Sequence, residues 1–220
     1  MREHDVGHVF YVPVILADAI SKMGRLGIRA ISAHGEKAAA YMADGYARAS
    51  GGPAICMAQT VGAANLAAGL KDAYLSCSPV LALTGASYAA SRHRQVYQEI
   101  DDSSMFRPVV KWQAEVEVPG RLPELLGQAF RSATTGAPGP VHLAFRGHYG
   151  QVGLGEGVSG ITVEPSIGRR FARVPPFRPE AEPGSVAEAA RLLGAAKRPI
   201  VIAGGGVIWS GAQEELQTLP

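Results

Sequence analysis

Charge of one sign is scarce in this sequence. Its 220 residues carry 21 Lys and Arg against 19 Asp and Glu, a formal net charge of +2. That balance argues against a nucleic-acid partner or an anionic membrane surface, which call for a clustered basic patch. The densest basic run, Arg92-His93-Arg94, reads as a solvated loop. Cysteine is nearly missing. Cys56 and Cys77 stand far apart without CxxC spacing, so neither a zinc site nor a thioredoxin-type motif is suggested. Cys56 lies in an apolar run and reads as a buried thiol, which fits a reduced, cytoplasmic setting. No stretch approaches the roughly 20 apolar residues of a membrane span. Val9 to Leu16 is apolar, but Glu3 and Asp5 precede it and Pro13 interrupts it, which argues against a signal peptide. The histidines form no metal cluster, and there is no G-x-S-x-G, Walker or H-E-x-x-H motif.

The remaining composition is that of an ordinary globular protein, with 47% hydrophobic and 18% charged residues. The length suits one large or two small domains. Short apolar runs alternate with helical patterns. Strands are expected at Val9–Val12, Ile28–Ile31, Ala54–Ala58, Val80–Thr84, Val109–Val118 and Val141–Phe145. Helices are expected at Ile15–Leu26, Glu36–Ala49, Val61–Tyr74 and Leu122–Thr134. Ala86 to Asp102 reads as a loop, with a short helix near Gln98 to Phe106. The alternation predicts an α/β fold, a parallel sheet with helices on both faces. Gly150 to Gly160 and five prolines from Pro165 to Pro183 then read as an extended linker. A helix beginning at Ser185, a strand at Pro199–Ala203 and a helix at Gln213–Leu219 predict the opening of a second α/β domain. The expected division is residues 1–150, a linker at 151–183, and the truncated start of a second domain at 184–220.

Three places carry candidate chemistry. Gly204-Gly205-Gly206 follows a predicted strand, but the third glycine of a dinucleotide fingerprint would fall on Trp209, so the run reads as a tight turn. Gln59-Thr60-Val61-Gly62 joins a buried strand to a helix. It is either a ligand loop at the carboxyl end of the sheet or an ordinary helix start capped by Thr60. Glu36 also follows a strand and has the small neighbours Gly35, Ala38 and Ala39, which leave room for a flat ligand. A carboxylate there could share a proton with a ring nitrogen. The competing reading is a first-turn glutamate that complements the helix dipole.

The run Glu36-Lys37-Ala38-Ala39-Ala40-Tyr41-Met42-Ala43-Asp44-Gly45-Tyr46-Ala47-Arg48 resembles the N-terminal pyrimidine-binding domain of thiamine-diphosphate enzymes, and most closely the acetolactate synthase large-subunit group. The resemblance continues through Gly62-Ala63-Ala64-Asn65-Leu66, Gly69-Leu70, Asp72-Ala73, Pro79-Val80, Thr84-Gly85, Gln98-Glu99-Ile100-Asp101 and Gly136 to Val141. It implies that thiamine diphosphate is the cofactor and that Glu36 is catalytic, hydrogen-bonding its aminopyrimidine ring. Glu36, Thr60, Gly62, Asn65 and Gln98 are the implied cofactor-binding set. The implied reaction is carboligation or decarboxylation of a small 2-keto acid in a homodimer or higher oligomer. Magnesium would be held by a diphosphate-binding domain that this sequence does not contain. Residues 184–220 look like the start of the family's central domain.

Four departures qualify the resemblance. Gly35 stands where the family has His, and His34 lies one place earlier. Val14 replaces a glycine. Gln59-Thr60-Val61-Gly62 keeps only the last residue of a Ser-Gly-Pro-Gly loop. Ala137 replaces the Arg often found in the FAD-binding synthases. Together they make FAD and the acetolactate reaction itself doubtful. The alternatives are another superfamily member with a different 2-keto acid or acyl substrate, and a non-catalytic dimerising remnant.

Overall fold

The computed structural model describes residues 1, 4–13, 17–148, 151–152 and 169–219. Their contacts divide into two compact units, Met1–Pro176 and Phe177–Pro220.

In the first unit the strands are β1 (His8–Tyr11), β2 (Arg29–Ser32), β3 (Ala54–Ala58), β4 (Val80–Ala86), β5 (Trp112–Val116), β6 (Val141–His148) and β7 (Gln151–Val152). The helices are α1 (Ala17–Arg25), α2 (Glu36–Ser50), α3 (Thr60–Leu75), the single turn α4 (Ser103–Phe106) and α5 (Leu122–Thr134). The sheet order is β2-β1-β3-β4-β6-β5. Every neighbour in that row is parallel, and β7 adds antiparallel to β6. The parallel sheet expected from the alternation is therefore present.

Both faces of the sheet are covered, and the strand residues sort between them with a period of two. Phe10, Ala54, Cys56, Ala58, Val80 and Ala82 face α2 and α3. Val9, Ile55, Met57, Leu81, Leu83 and Leu143 face α1 and α5. The first face is built largely of alanine, on the strands and on the helices alike. Small side chains let α2 and α3 approach the sheet and each other closely. Gly69 marks the tightest point: a Cβ there would lie 2.7 Å from Ala40 Cβ and 2.8 Å from the Lys37 carbonyl oxygen. The second face is filled by large aliphatic and aromatic side chains instead.

The core also holds His142, which is fully buried. Its ring stacks on Phe106 with centroids 3.7 Å apart. Its Nε2 lies 2.8 Å from Thr84 Oγ1. Burial disfavours the charged ring and lowers its pKa to about 3. Just before β5, Lys111 Nζ donates to the carbonyls of Ser132, Thr135 and Ala137 at 2.6 to 2.9 Å. One ammonium so satisfies carbonyls left over at the end of α5.

Several expected bounds move. The predicted strand at Val109–Val118 shortens to β5, because Arg107–Val109 is a 3-10 turn. The helix near Gln98 to Phe106 shrinks to α4. Of the predicted linker at 151–183, residues 151–152 form β7, 169–183 are described and include a 3-10 turn at Arg169–Ala172, and the rest lies outside the described residues. Val14 and the start of the first predicted helix lie outside them too.

The second unit contains α6 (Pro183–Ala195), α7 (Gly205–Ser210) and α8 (Gln213–Gln217). The helix predicted from Ser185 begins two residues earlier. Pro183 suits the first turn, and the Glu182 carboxylate accepts from the Gly184 and Ser185 amides at 3.1 and 2.7 Å. The triple glycine does not form a bare turn: Gly204 precedes α7, and Gly205 and Gly206 open it. The strand predicted at Pro199–Ala203 is not formed. Ile200 and Ile202 are 89% and 93% exposed. A strand needs a neighbour to receive its backbone hydrogen bonds, and the described residues of this unit supply none.

Two predictions follow from the packing. Gly69→Ala should destabilise the chain by about 1–3 kcal/mol, because the added methyl enters a filled helix contact. Gly45→Ala, which meets nothing within 4 Å in the middle of α2, should stabilise it by roughly 0.5–1 kcal/mol. Urea denaturation of both variants checks the pair. His142 should stay neutral well below the usual histidine range. Its contribution to stability is complete above about pH 6.5 and is lost as pH falls towards about 3. An NMR titration of the ring protons showing a midpoint near 6.5 in the folded chain would contradict this burial.

Candidate functional site

The carboxyl ends of the parallel strands gather at one edge of the sheet. β1 leads outward to β2, whereas β3 leads the other way to β4, so the connections part between β1 and β3. In open α/β sheets that divergence leaves a crevice beyond the strand ends. The segments following β2, β3 and β4 carry the candidate residues.

Glu36 is the first residue of α2 and is half-buried. Gly35 precedes it in an extended conformation and provides no side-chain cap. The Glu36 side chain reaches across to α3. Asn65 Nδ2 donates to Glu36 Oε2 at 3.2 Å. The carboxylate occupies the space that a side chain at position 62 would need. A Cβ on Gly62 would stand 2.3 Å from Oε1 and 2.5 Å from Cδ. A side chain at position 62 would therefore displace the Glu36 carboxylate, and glycine leaves it in place.

Thr60 does not cap α3. It is the first residue of the helix, Gln59 takes the cap position, and no side chain caps the end. The Thr60 hydroxyl instead donates to the Gly85 carbonyl at the end of β4. That bond ties the loop after β3 to the strand beside it. The capping alternative read from the sequence is thereby overturned. The direction of the Gln59 amide is set separately: its Nε2 donates to Gln98 Oε1 at 2.7 Å. Gln59 Oε1 is buried without a partner.

Gln98 belongs to the long segment after β4. His93, Gln95 and Gln98 there all adopt positive φ, at 68°, 54° and 61°. Side chains rarely accept this region, and each instance costs on the order of 1–3 kcal/mol unless its surroundings hold it. Glu99 supplies one such hold by accepting from the backbone amides of His93 and Val96. Desolvation opposes its charge, but the converging amides outweigh it and keep the carboxyl below its usual range. Arg92 of the same segment provides a second hold, pairing with Glu117 at 3.0 Å and Glu115 at 3.5 Å, and Arg146 of β6 pairs with Glu115 at 2.6 Å. A recess of about 170 Å³ opens beside the segment, lined by Gln59, Ser87, Tyr88, Tyr97 and Gln98 among others.

The structure thus places the five predicted residues in two contacts and one tie. Glu36, Gly62 and Asn65 meet directly, Gln98 meets Gln59, and Thr60 reaches Gly85. His34 is exposed and takes no part in these bonds. Sequence reasoning missed Gln59 as a partner of Gln98, and it missed Asp102. That carboxyl is 5% exposed, and burial raises its pKa to about 7 against the opposing pull of the Thr60 hydroxyl. In sequence it looks like a cap for α4, yet it makes no cap bond. Among the described residues no group of three or more His, Cys, Asp or Glu could hold a metal ion. No helix among them is long and apolar enough to cross a membrane.

Comparison with known proteins accounts for this arrangement. Residues 1–105 match the family described as "Thiamine pyrophosphate enzyme, N-terminal TPP binding domain". The probable acetolactate synthase large subunit of Methanocaldococcus jannaschii is 40% identical over 187 residues, covering 84% of this chain and 30% of that protein. The acetolactate synthase of Arthrospira platensis is 35% identical over 225 residues, covering 100% and 38%. The isozyme 1 large subunit of Escherichia coli is 35% identical over 192 residues, covering 87% and 32%. The chain therefore spans about a third of the length of the curated relatives it matches. Among solved structures, benzoylformate decarboxylase from Polynucleobacter necessarius superposes with a TM-score of 0.77 at 23% identity, covering 98% of this chain and 39% of that one. That likeness speaks for the fold alone. With the sheet, the close helix pair and these relatives in agreement, residues 1–105 belong to the N-terminal domain family of thiamine pyrophosphate enzymes, in a form similar to the acetolactate synthase large subunit.

Proposed function

We propose that this chain supplies the aminopyrimidine-binding side of a thiamine diphosphate site, in an acetolactate synthase-like enzyme that acts on a small 2-keto acid. The observation that carries the reading is the Glu36 carboxylate lying against Gly62, where any side chain would displace it. The donor set suits a flat, polar heterocycle. It offers a half-buried carboxylate oriented by Asn65, a glycine that lets backbone come close, and a buried amide oxygen on Gln59 that lacks a partner.

Each residue then has a role. Glu36 hydrogen-bonds a ring nitrogen of the pyrimidine and holds the shared proton at a carboxyl oxygen. Asn65 fixes which oxygen faces the ligand. Gly62 keeps the approach open. Thr60 fixes the loop that carries Gly62, and Gln98 is held by Gln59 towards the substrate side. The cofactor, when bound, supplies a nucleophilic carbon and an electron sink for breaking a bond beside a carbonyl. The chain contributes position and a proton at one defined atom.

The whole protein's activity belongs to the same proposal. Magnesium and the diphosphate are assigned to a separate domain, and the opening of the central domain is assigned to residues 184–220, after a linker at 151–183. Association into a homodimer or higher oligomer is part of the reading; FAD is not.

Calorimetric titration of thiamine diphosphate with magnesium tests it, using this chain alone and this chain mixed with the diphosphate-binding domain of an acetolactate synthase large subunit. Binding is expected in the mixture. Glu36→Gln should weaken it roughly 10- to 150-fold, the worth of a hydrogen bond to a charged group of about 1.5–3 kcal/mol. Gly62→Ala should weaken it at least as much, because the methyl displaces the carboxylate. An absence of binding in both preparations would favour a non-catalytic, dimerising role.

A further inference from the structure

Two recesses open along the segment after β4, and Ser87 lines both. The larger, about 450 Å³, collects the charge: Arg92, His93, Glu99, Asp101, Glu115 and Arg146 line it. The smaller, about 170 Å³, has no charged residue in its described lining. The segment is sorted between them. Its Arg92, Glu99 and Asp101 line one recess, and its Tyr88, Val96, Tyr97 and Gln98 line the other. Tyr88, Val96 and Tyr97 are exposed, so much of their apolar surface is open to solvent. The polar part of the smaller recess is an amide pair, in which Gln59 Nε2 donates to Gln98 Oε1 at 2.7 Å. That bond engages the Gln98 oxygen and leaves the Gln98 amide hydrogens as donors. Gln59 adds a buried oxygen without a partner, and its partial negative charge opposes an anion.

We propose that the smaller recess binds a small uncharged carbonyl compound, an aldehyde or a ketone. The Gln98 amide donates to its oxygen, and Tyr88, Val96 and Tyr97 cover its hydrocarbon. Size, charge and hydrogen bonding each narrow the class. The volume equals that of about five or six waters in the liquid. It is smaller than pockets for drug-sized ligands and suits roughly five or six non-hydrogen atoms. A carboxylate entering an uncharged recess would lose hydration without gaining a counterion. The two arginines nearby do not supply one, because Arg146 and Arg92 approach Glu115 at 2.6 and 3.5 Å and line the other recess. A pure hydrocarbon would leave the Gln98 donors unmet. In the proposed enzyme this is the place of an uncharged reaction partner rather than of the 2-keto acid itself. That role rests on the thiamine diphosphate reading, whereas the recess and its preference do not.

Butan-2-one and propanoate test the site, since they match in shape and in number of non-hydrogen atoms and differ in charge. Each is titrated into this chain without cofactor, and the side-chain amide signals of Gln59 and Gln98 are followed by NMR. Butan-2-one should move both signals and saturate with a Kd on the order of 1–10 mM. Propanoate should bind at least about tenfold more weakly, because its charge stays unpaired. Val96→Lys places an ammonium at the recess and should shift the preference towards propanoate by about tenfold or more. Val96 is exposed, and its bond to Glu99 is made by the backbone amide, which the variant keeps. Should that variant fail to fold, the two probes on the unaltered chain decide alone. Still signals with butan-2-one at about 100 mM, propanoate binding as tightly as butan-2-one, or an unchanged preference in Val96→Lys would each overturn the proposal. Neither probe involves thiamine diphosphate, so a failure of the cofactor to bind would leave these titrations unchanged, and the two readings fail separately.

Discussion

The closeness of α2 and α3 is the constraint on which the rest of the site depends. Two glycines of α3 make it possible. Gly69 lets the helices meet at Ala40 and Lys37, and about two turns earlier Gly62 receives the Glu36 side chain. The alanine face behind them serves the same end. Ala39, Ala40, Ala43 and Ala47 on α2 and Ala63, Ala67 and Ala73 on α3 are buried, and each keeps the helices near the sheet. A larger residue at any of these positions would push the helix pair apart and move Glu36 away from Asn65. The carboxylate is thus placed by packing rather than by polar bonds, of which Asn65 supplies a single, fairly long one.

The other half of the site is held in the opposite manner. The segment after β4 has few buried apolar side chains and three residues at positive φ. It is organised by charge and hydrogen bonding: the amides collected by Glu99, the Arg92 pairs with Glu115 and Glu117, and the Gln59–Gln98 bond. A packed half and a polar half suit different tasks. The packed half holds the Glu36 side chain at a close approach to α3. The polar half can change when a proton or a ligand changes the balance of its bonds.

How much of this was legible in the sequence depends on the physics of each part. β3 and α5 fall on the residues expected, because an all-apolar run between turn signals and an apolar-periodic segment have few other solutions. Glu36 stood out in the sequence through its small neighbours and its place after a strand, but Glu36, Gly62 and Asn65 were assigned to one site only through the resemblance to the thiamine-diphosphate enzymes. The strand expected at Pro199–Ala203 shows the limit. Five residues of β-prone sequence carry the propensity, but a strand is completed by its neighbours. Thr60 shows another limit: threonine at a helix start is consistent with a cap, and only the position of Gly85 decides where its proton goes. Lys111 gave no local signal, since its three acceptors lie 21 to 26 residues away.

Asp102 joins these two kinds of information. Its neighbours in sequence, Asp101 and Ser103, suggest a solvated helix start. In space it is 5% exposed, beside a segment whose conformation is costly to hold. Burial of a carboxyl is tolerated only when the group is neutral or well paired, and the buried Asp102 Oδ2 has no partner. The residue is therefore informative because it breaks the local rule. The fold bears the cost of burying it at the point where the packed half of the site meets the polar half.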